Sequence, residues 1–382
     1  MGSRSAWGDA LLARRYSRRE VIRASGVAAA SLALSGPLLA ACGKDEGGAG
    51  TSGPTTVSNQ LNWLENAEFA GHWVADDQGY LKEQNIQPKW ITGGPNAPRS
   101  EGVVVGGQAD VGMSSFMETT VRAIIEGAPI KMVGAFFQHS PLALMSTQAH
   151  PIRTAADMTG KRLGGPPFLQ PNIDSLFRAN GMKVDYKFVP VGGTEPDPLL
   201  NNEIDALYVF VTNQPFIYEQ AAKEKPVLLR DSDNRFDVYS SLYFARTKDI
   251  EGARRDALVR FFRGLVKGWE HNLQDPRLGA RLAVEKYGKN LGLNLEQQIK
   301  ENQTQNTLAI GDITQEKGLL RLSEQFIEQK AYKSFEAAGV KGLPEISKLA
   351  DFSLFDDVFG DKNRFYLDPG QDLTKLVQSK LT

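Results

Sequence analysis

Asn62 and Trp63 are the adjacent residues whose types most invite a ligand. An indole face stacks on a flat ring, while a carboxamide can both donate to and accept from ring nitrogens and carbonyls. They follow Val57–Leu61, an apolar run that reads as a strand, so they fall in a loop at a strand end, where Rossmann-like layers expose ligand-facing residues. The same pair could instead cap a core beside a structural asparagine. Glu65, Asn66 and Glu68 crowd this stretch, and a carboxylate there would repel nitrate or a sulfonate. Phe69 and His72 are three residues apart and share a helical face; Phe69 is a candidate ligand contact, and His72 reads as a surface or packing histidine. Ser114 and Ser115 stand before a helical segment, where they could hold a polar ligand atom or cap the helix. Further along, Gly192, Gly193 and Thr194 form a loop after one strand, and Tyr208 and Asn213 lie in and after another. Tyr239 sits near a return connection, and all six are candidates for an opposite wall. Core or cap roles remain open for Tyr208.

Catalytic chemistry is not legible. Histidines 72, 139, 150 and 271 lack zinc-ligand spacing, and neither a Gly-x-Ser-x-Gly elbow nor a His-Glu-x-x-His helix occurs. Gly106–Gly112 and Gly164–Pro167 lack the spacing of a phosphate-binding loop. A net charge of -1, with no basic block beyond the first residues, argues against a nucleic-acid partner. The expectation is a binding protein and not an enzyme, with no cofactor and no metal, working as a monomer.

The elements that would position these residues alternate between short apolar runs and helical ones, which indicates α/β architecture. Strands are expected at Val57–Leu61, Ile86–Trp90, Ile130–Phe136, Leu142–Ser146, Lys187–Val191, Ile204–Val209, Pro226–Leu229 and Ser240–Ala245, with a short one before Ser114. A helix is expected from Glu68 to Gln78, ended by Gly79. Amphipathic helices follow at Ala253–Asn272, Pro276–Tyr287, Ile299–Thr307 and Ser323–Ala338, and the stretch from Asp361 reads as a loosely ordered tail.

Ahead of these elements lies an export address. Arg4, Arg14, Arg15, Arg18, Arg19 and Arg23 precede an apolar segment, Val27–Ala41, too short and broken to span a membrane comfortably. Ser17–Arg23 resembles a twin-arginine signal. Leu39-Ala40-Ala41-Cys42 looks like a lipobox, which makes residues 1–41 a signal peptide and Cys42 the lipidation site. Cys42 is the sole cysteine, so an intramolecular disulfide is excluded. Residues 42–56 read as a lipidated, flexible linker that tethers the fold outside the cytoplasm, anchored to the bacterial cell membrane.

Three stretches carry a resemblance: Asn62-Trp63 with Phe69–Ala75 and Gln78–Leu81, then Gly106–Gly112, then Asp157–Gly164. In this order they resemble periplasmic solute-binding proteins with an NMT1/THI5-like domain. The resemblance implies a two-lobed periplasmic binding protein type II fold with two interlobe crossovers. One lobe would combine residues 57–144 with 242–360, the other would span 145–241, and 361–382 would be the tail. It also implies an ABC importer permease as partner and a small heterocyclic solute in the cleft. A thiamine pyrimidine precursor is the first expectation, riboflavin the second, and nitrate or alkanesulfonates come after them. A precursor-synthesising enzyme is the rival class. Glu68-Phe69-Ala70-Gly71 looks like the riboflavin-associated branch.

Overall fold

The computed structural model describes residues 53–94, 96–191 and 195–381. The arginine-rich segment expected to act as an export signal, Cys42 and the Gly192-Gly193-Thr194 loop lie outside the described residues.

Among these, the strands are β1 Thr55–Gln60, β2 Ile86–Ile91, β3 Val111–Ser114, β4 Ile130–Phe137, β5 Leu142–Ser146, β6 Arg162–Gly165, β7 Lys187–Pro190, β8 Ala206–Phe210, β9 Val227–Arg230 and β10 Ser240–Arg246. They form two five-stranded sheets, ordered β2-β1-β3-β10-β4 and β7-β6-β8-β5-β9. β1 is parallel to β2 and β3, while β10 is antiparallel to β3 and β4. The second sheet repeats the plan, with β6 parallel to β7 and β8 and with β5 antiparallel to β8 and β9. The chain leaves the first sheet between β4 and β5 and returns between β9 and β10. Both crossing strands are buried almost throughout, as continuous apolar runs in a two-faced layer must be.

β6 is absent from the strands expected on sequence grounds. Gly164 and Gly165 make up half of it, and glycine is depleted in strands. The packing explains the choice: a Cβ on Gly164 would meet Ile204 Cδ1 at 2.6 Å.

Helices among the described residues include α1 Ala70–Asp77, α2 Gln214–Ala222, α3 Arg255–Gln274, α4 Leu295–Leu308 and α5 Leu373–Gln378. The helix expected from Glu68 starts as a 3-10 turn, Ala67–Phe69, because the Asn66 side chain accepts the Glu68 N–H and caps it there. α1 continues to Asp77, and Gly79, at φ +77°, redirects the chain. α3 carries Phe261, Phe262, Leu265 and Trp269, all fully buried, on one face. Trp269 stacks on Phe136 with ring centroids 3.5 Å apart.

The C-terminal stretch is not loose. Leu367, Leu373 and Val377 are buried in the larger core. The cause is Glu270 on α3, whose Oε2 accepts backbone N–H bonds from Phe365 at 2.8 Å, Tyr366 at 2.6 Å and Leu367 at 3.1 Å. Arg364, beside it, donates to the carbonyls of Asn363 and Gln315. A glutamate on α3 distant in sequence gives a polar segment the acceptor it needs, which composition alone does not show. Glu270→Ala would strand three amide donors. It is expected to cost about 2–4 kcal/mol of stability and to speed amide hydrogen exchange at residues 365–367. Unchanged exchange there would refute this account of the clasp.

Candidate functional site

β1 and β3 end, and β10 begins, at the same edge of the first sheet, and three segments meet there. Asn62 Nδ2 donates to Glu68 Oε1 at 2.7 Å and to Ser115 Oγ at 2.6 Å. Ser241 Oγ reaches the same Glu68 oxygen at 3.2 Å. Ser241 is held at φ +45°, unusual for a non-glycine residue, and such strain clusters at ligand sites. Asn62 Oδ1 is buried without a hydrogen-bond partner. Trp63 is half-buried, with its ring packed against the larger core from one side.

α4 supplies the floor. Its inner face is amide-rich: Gln298, Glu301, Asn302, Gln305 and Asn306 are buried. Glu301 Oε1 accepts from Asn66 Nδ2 at 3.1 Å, and Oε2 accepts from Gln297 at 3.0 Å and Gln298 at 2.8 Å. Gln298 in turn accepts the Ala67 N–H at 2.7 Å. Burial, and then the neighbouring Glu68 charge, push the Glu301 carboxyl up to about 8. Burial raises Glu68 as well, with the bonds from Asn62 and Ser241 pulling the other way.

The second sheet closes on this cluster. Asn213, at the start of α2, accepts from Gln297 Nε2 at 2.8 Å. Phe210, at the end of β8, meets Phe116 edge-on with centroids 6.1 Å apart. The two connecting segments are tied together by His139 and Asp237, Nδ1 to Oδ2 2.8 Å, and the Ser140 N–H donates to Asp237 Oδ1 at 3.1 Å. A cavity of about 10 Å³, room for one water, lies at this hinge between Ser115, Phe116, Leu142 and Tyr239.

Of the residues singled out from sequence, Asn62, Trp63, Ser115 and Asn213 therefore come together. Phe69 does not. It is fully buried, edge-on to His72 and Trp73, because the 3-10 turn rotates it into the core. Ser114 is also turned inward, bonded to the Phe116 carbonyl at 3.1 Å and to Thr119 Oγ1 at 2.9 Å. Tyr208 is buried in the second sheet's core with its hydroxyl donating to Asp231. Tyr239 rims the hinge cavity, but its hydroxyl accepts the Ser323 N–H at 2.8 Å and its ring packs on Phe326. Both tyrosines use their polar ends internally, as buried phenols do.

His72 is a packing histidine. It is surrounded by Trp73, Trp90, Tyr243 and Trp269, and burial drives its pKa to about 3, so it stays neutral. Glu301 and Gln297 join this cluster, and sequence reasoning misses them. A signal exists in Gln297-Gln298-Ile299-Lys300-Glu301-Asn302, where the positions expected to be apolar on an inward face carry amides and a carboxylate.

Two lobes, each an α/β layer, joined by two crossovers and meeting over a polar cleft, are the type II periplasmic-binding-protein fold. The ligand-binding component of an ABC-type import system from Staphylococcus aureus shares this fold, with a TM-score of 0.57, 13% identity, and coverage of 80% of this chain and 99% of that one. The NMT1/THI5-like family model matches residues 66–278, and the chain belongs to that family. Among curated relatives, the 4-amino-5-hydroxymethyl-2-methylpyrimidine phosphate synthase of Legionella pneumophila is 28% identical over 178 residues, 46% of this chain and 55% of that protein. The riboflavin-binding protein RibY of Chloroflexus aurantiacus is 20% identical over 226 residues, 58% of this chain and 63% of that protein. The matched segments thus span about half to two thirds of these relatives.

Proposed function

We propose that this chain is an extracytoplasmic solute-binding lipoprotein, anchored through Cys42, that captures a flat heterocycle and delivers it to an ABC importer. The observation that carries this reading is Trp63, half-buried beside Asn62, whose Oδ1 is buried and unpartnered. A ring lying on the indole would bring a donor to that oxygen. Closure of the two lobes over the ligand, reported by Asn213–Gln297 and Phe116–Phe210, would then present the closed form to the permease. A thiamine pyrimidine precursor is the leading solute. Riboflavin is second, supported by the resemblance to RibY and by Glu68-Phe69-Ala70-Gly71.

The likeness to a pyrimidine phosphate synthase supports an enzyme as the alternative. Against it stands His72, sealed among aromatic rings and held neutral.

Titration of the purified protein with hydroxymethylpyrimidine, formylaminopyrimidine, thiamine and riboflavin, monitored by tryptophan fluorescence and calorimetry, tests the reading. Saturable one-to-one binding without turnover is expected, and Trp63→Ala should weaken it by about tenfold or more, the equivalent of 1.4 kcal/mol. Product formation would move the enzyme to the front, and silence across the panel would end the heterocycle assignment.

A further inference from the structure

Resting on the solute-binding reading above, we infer that Glu68 and Glu301 together form the counter-charge for a solute that presents a cationic or amidine-type N–H donor group, and that Glu68 sets this specificity. The carboxylates are neighbours: Asn66 accepts the Glu68 N–H through Oδ1 and donates to Glu301 through Nδ2. Every group bonded to them is an uncharged donor. Glu68 has Asn62 and Ser241; Glu301 has Asn66, Gln297 and Gln298. Neither takes part in any ion pair among the described residues.

Among the described residues, the surrounding elements bring no cation to either carboxylate. α2 contributes Asn213 through Gln297, β10 contributes Ser241 and the Tyr243 phenol, and α1 contributes a neutral His72. On the loop after β1, Glu65 is engaged by Thr92 Oγ1. Glu301 is buried and Glu68 partly so; carboxylates drawn from water without a counter-charge are costly, and a positively charged or strongly donating partner relieves that cost. Burial, and then the neighbouring Glu68 charge, raise the Glu301 carboxyl to about 8, so it holds its proton near neutrality.

The orientation of the other acceptors agrees. Asn62 commits both its N–H bonds to Glu68 and Ser115, which leaves only the acceptor Oδ1 for a ligand. A sulfonate, which only accepts, would meet a carboxylate and a carbonyl oxygen. An N–H-bearing group would meet two acceptors, one of them charged. When a permanent cation enters, the carboxyl O–H bond breaks, both electrons stay on oxygen, and the proton leaves to solvent. Capture of such a solute is therefore linked to proton release.

Isothermal titration with thiamine, riboflavin and ethanesulfonate as probes decides the matter, run between pH 6 and 8.5 in buffers of different ionisation enthalpy. Thiamine, a permanent cation carrying an aminopyrimidine, should bind with an affinity that rises about fivefold or more across that range, with release of a fraction of a proton up to one. Glu68→Gln should weaken it about tenfold and flatten the pH profile, and Glu301→Gln should flatten the profile too; thermal melting confirms that both variants fold. Ethanesulfonate binding would overturn the inference and leave a solute-binding protein of another specificity. Heterocycle binding that is lost in Trp63→Ala but untouched by pH and by Glu68→Gln would also overturn it, while leaving the proposed function standing. Absence of binding by thiamine and riboflavin alike would overturn the inference, and silence from hydroxymethylpyrimidine and formylaminopyrimidine as well would overturn both.

Discussion

Gly268→Ala is expected to destabilise the protein by about 3 kcal/mol, although it adds one methyl group in the middle of a helix. Ordinarily that exchange favours a helix by up to about 1 kcal/mol. Here α3 crosses α1 at glycines on both helices. A Cβ on Gly268 would stand 2.4 Å from the Gly71 carbonyl oxygen and 2.5 Å from the Ala75 Cβ, and one on Gly71 would stand 2.0 Å from the Trp269 ring. The obstacles at Gly268 are backbone and Cβ atoms, which have no rotamer to retreat into, so α1 itself would have to move. Because α1 comes directly after the Asn62–Glu68 loop, that shift would also disturb the site. Gly102→Ala is the control: it is helical and exposed, with nothing within 4 Å of the added Cβ. Thermal melting should show Gly268→Ala lowered by roughly 2–4 °C per kcal/mol and Gly102→Ala unchanged or slightly raised. Equal effects in the two variants would refute the crossing argument.

The same crossing explains why part of the fold is legible in the sequence. Phe69-Ala70-Gly71-His72-Trp73 stands out as a motif, and the structure gives the reason residue by residue: Gly71 admits Trp269, and Phe69, His72 and Trp73 form an aromatic nest behind the loop. The motif marks a packing joint that supports the loop, so reading its phenylalanine as a ligand contact mistakes a core residue for a site residue. Strands with unbroken apolar runs, such as β4, β5 and β10, are expected close to their true bounds because burial on both faces leaves one compositional solution. β6 is hidden by glycines chosen for close approach. The site divides along similar lines. Asn62, Trp63 and Ser115 lie at strand ends, where topology predicts ligand contacts. Glu301 meets Asn66 across 235 residues of sequence, and nothing local announces that meeting.

Stability should fall as pH rises from 6.5 to 8.5, the reverse of what paired surface carboxylates would give. Asp231 is fully buried at the end of β9; burial, partly offset by the Tyr208 hydroxyl and reinforced by Asp237, raises it from 3.8 to about 7. Glu301 rises from 4.5 to about 8. For an acid whose folded pKa is raised, the folded state holds a proton that the unfolded state has lost, so stability is fully present below the unfolded pKa and drains as pH climbs to the folded one. Each such group contributes a slope of about 1.4 kcal/mol per pH unit between its two pKa values.

His72 acts in the opposite sense, because its pKa falls from 6.5 to about 3 and folding therefore favours the higher pH only below 6.5. Below that point it offsets one carboxyl group; above it the carboxyl groups act unopposed. The lowered carboxylates, Asp77, Asp157 and Asp205, add stability that is lost only in acid, below their ordinary value of 3.8. Denaturant unfolding at pH 6.5 and 8.5 should accordingly show a loss of about 2 kcal/mol in the alkaline sample. Asp231→Asn and Glu301→Gln replace the proton with a permanent amide, so the double variant should lose most of the difference while keeping the folded state. A wild-type protein equally stable at both pH values would mean that these carboxyl groups ionise at ordinary pKa values in the folded chain, and hence that water reaches them.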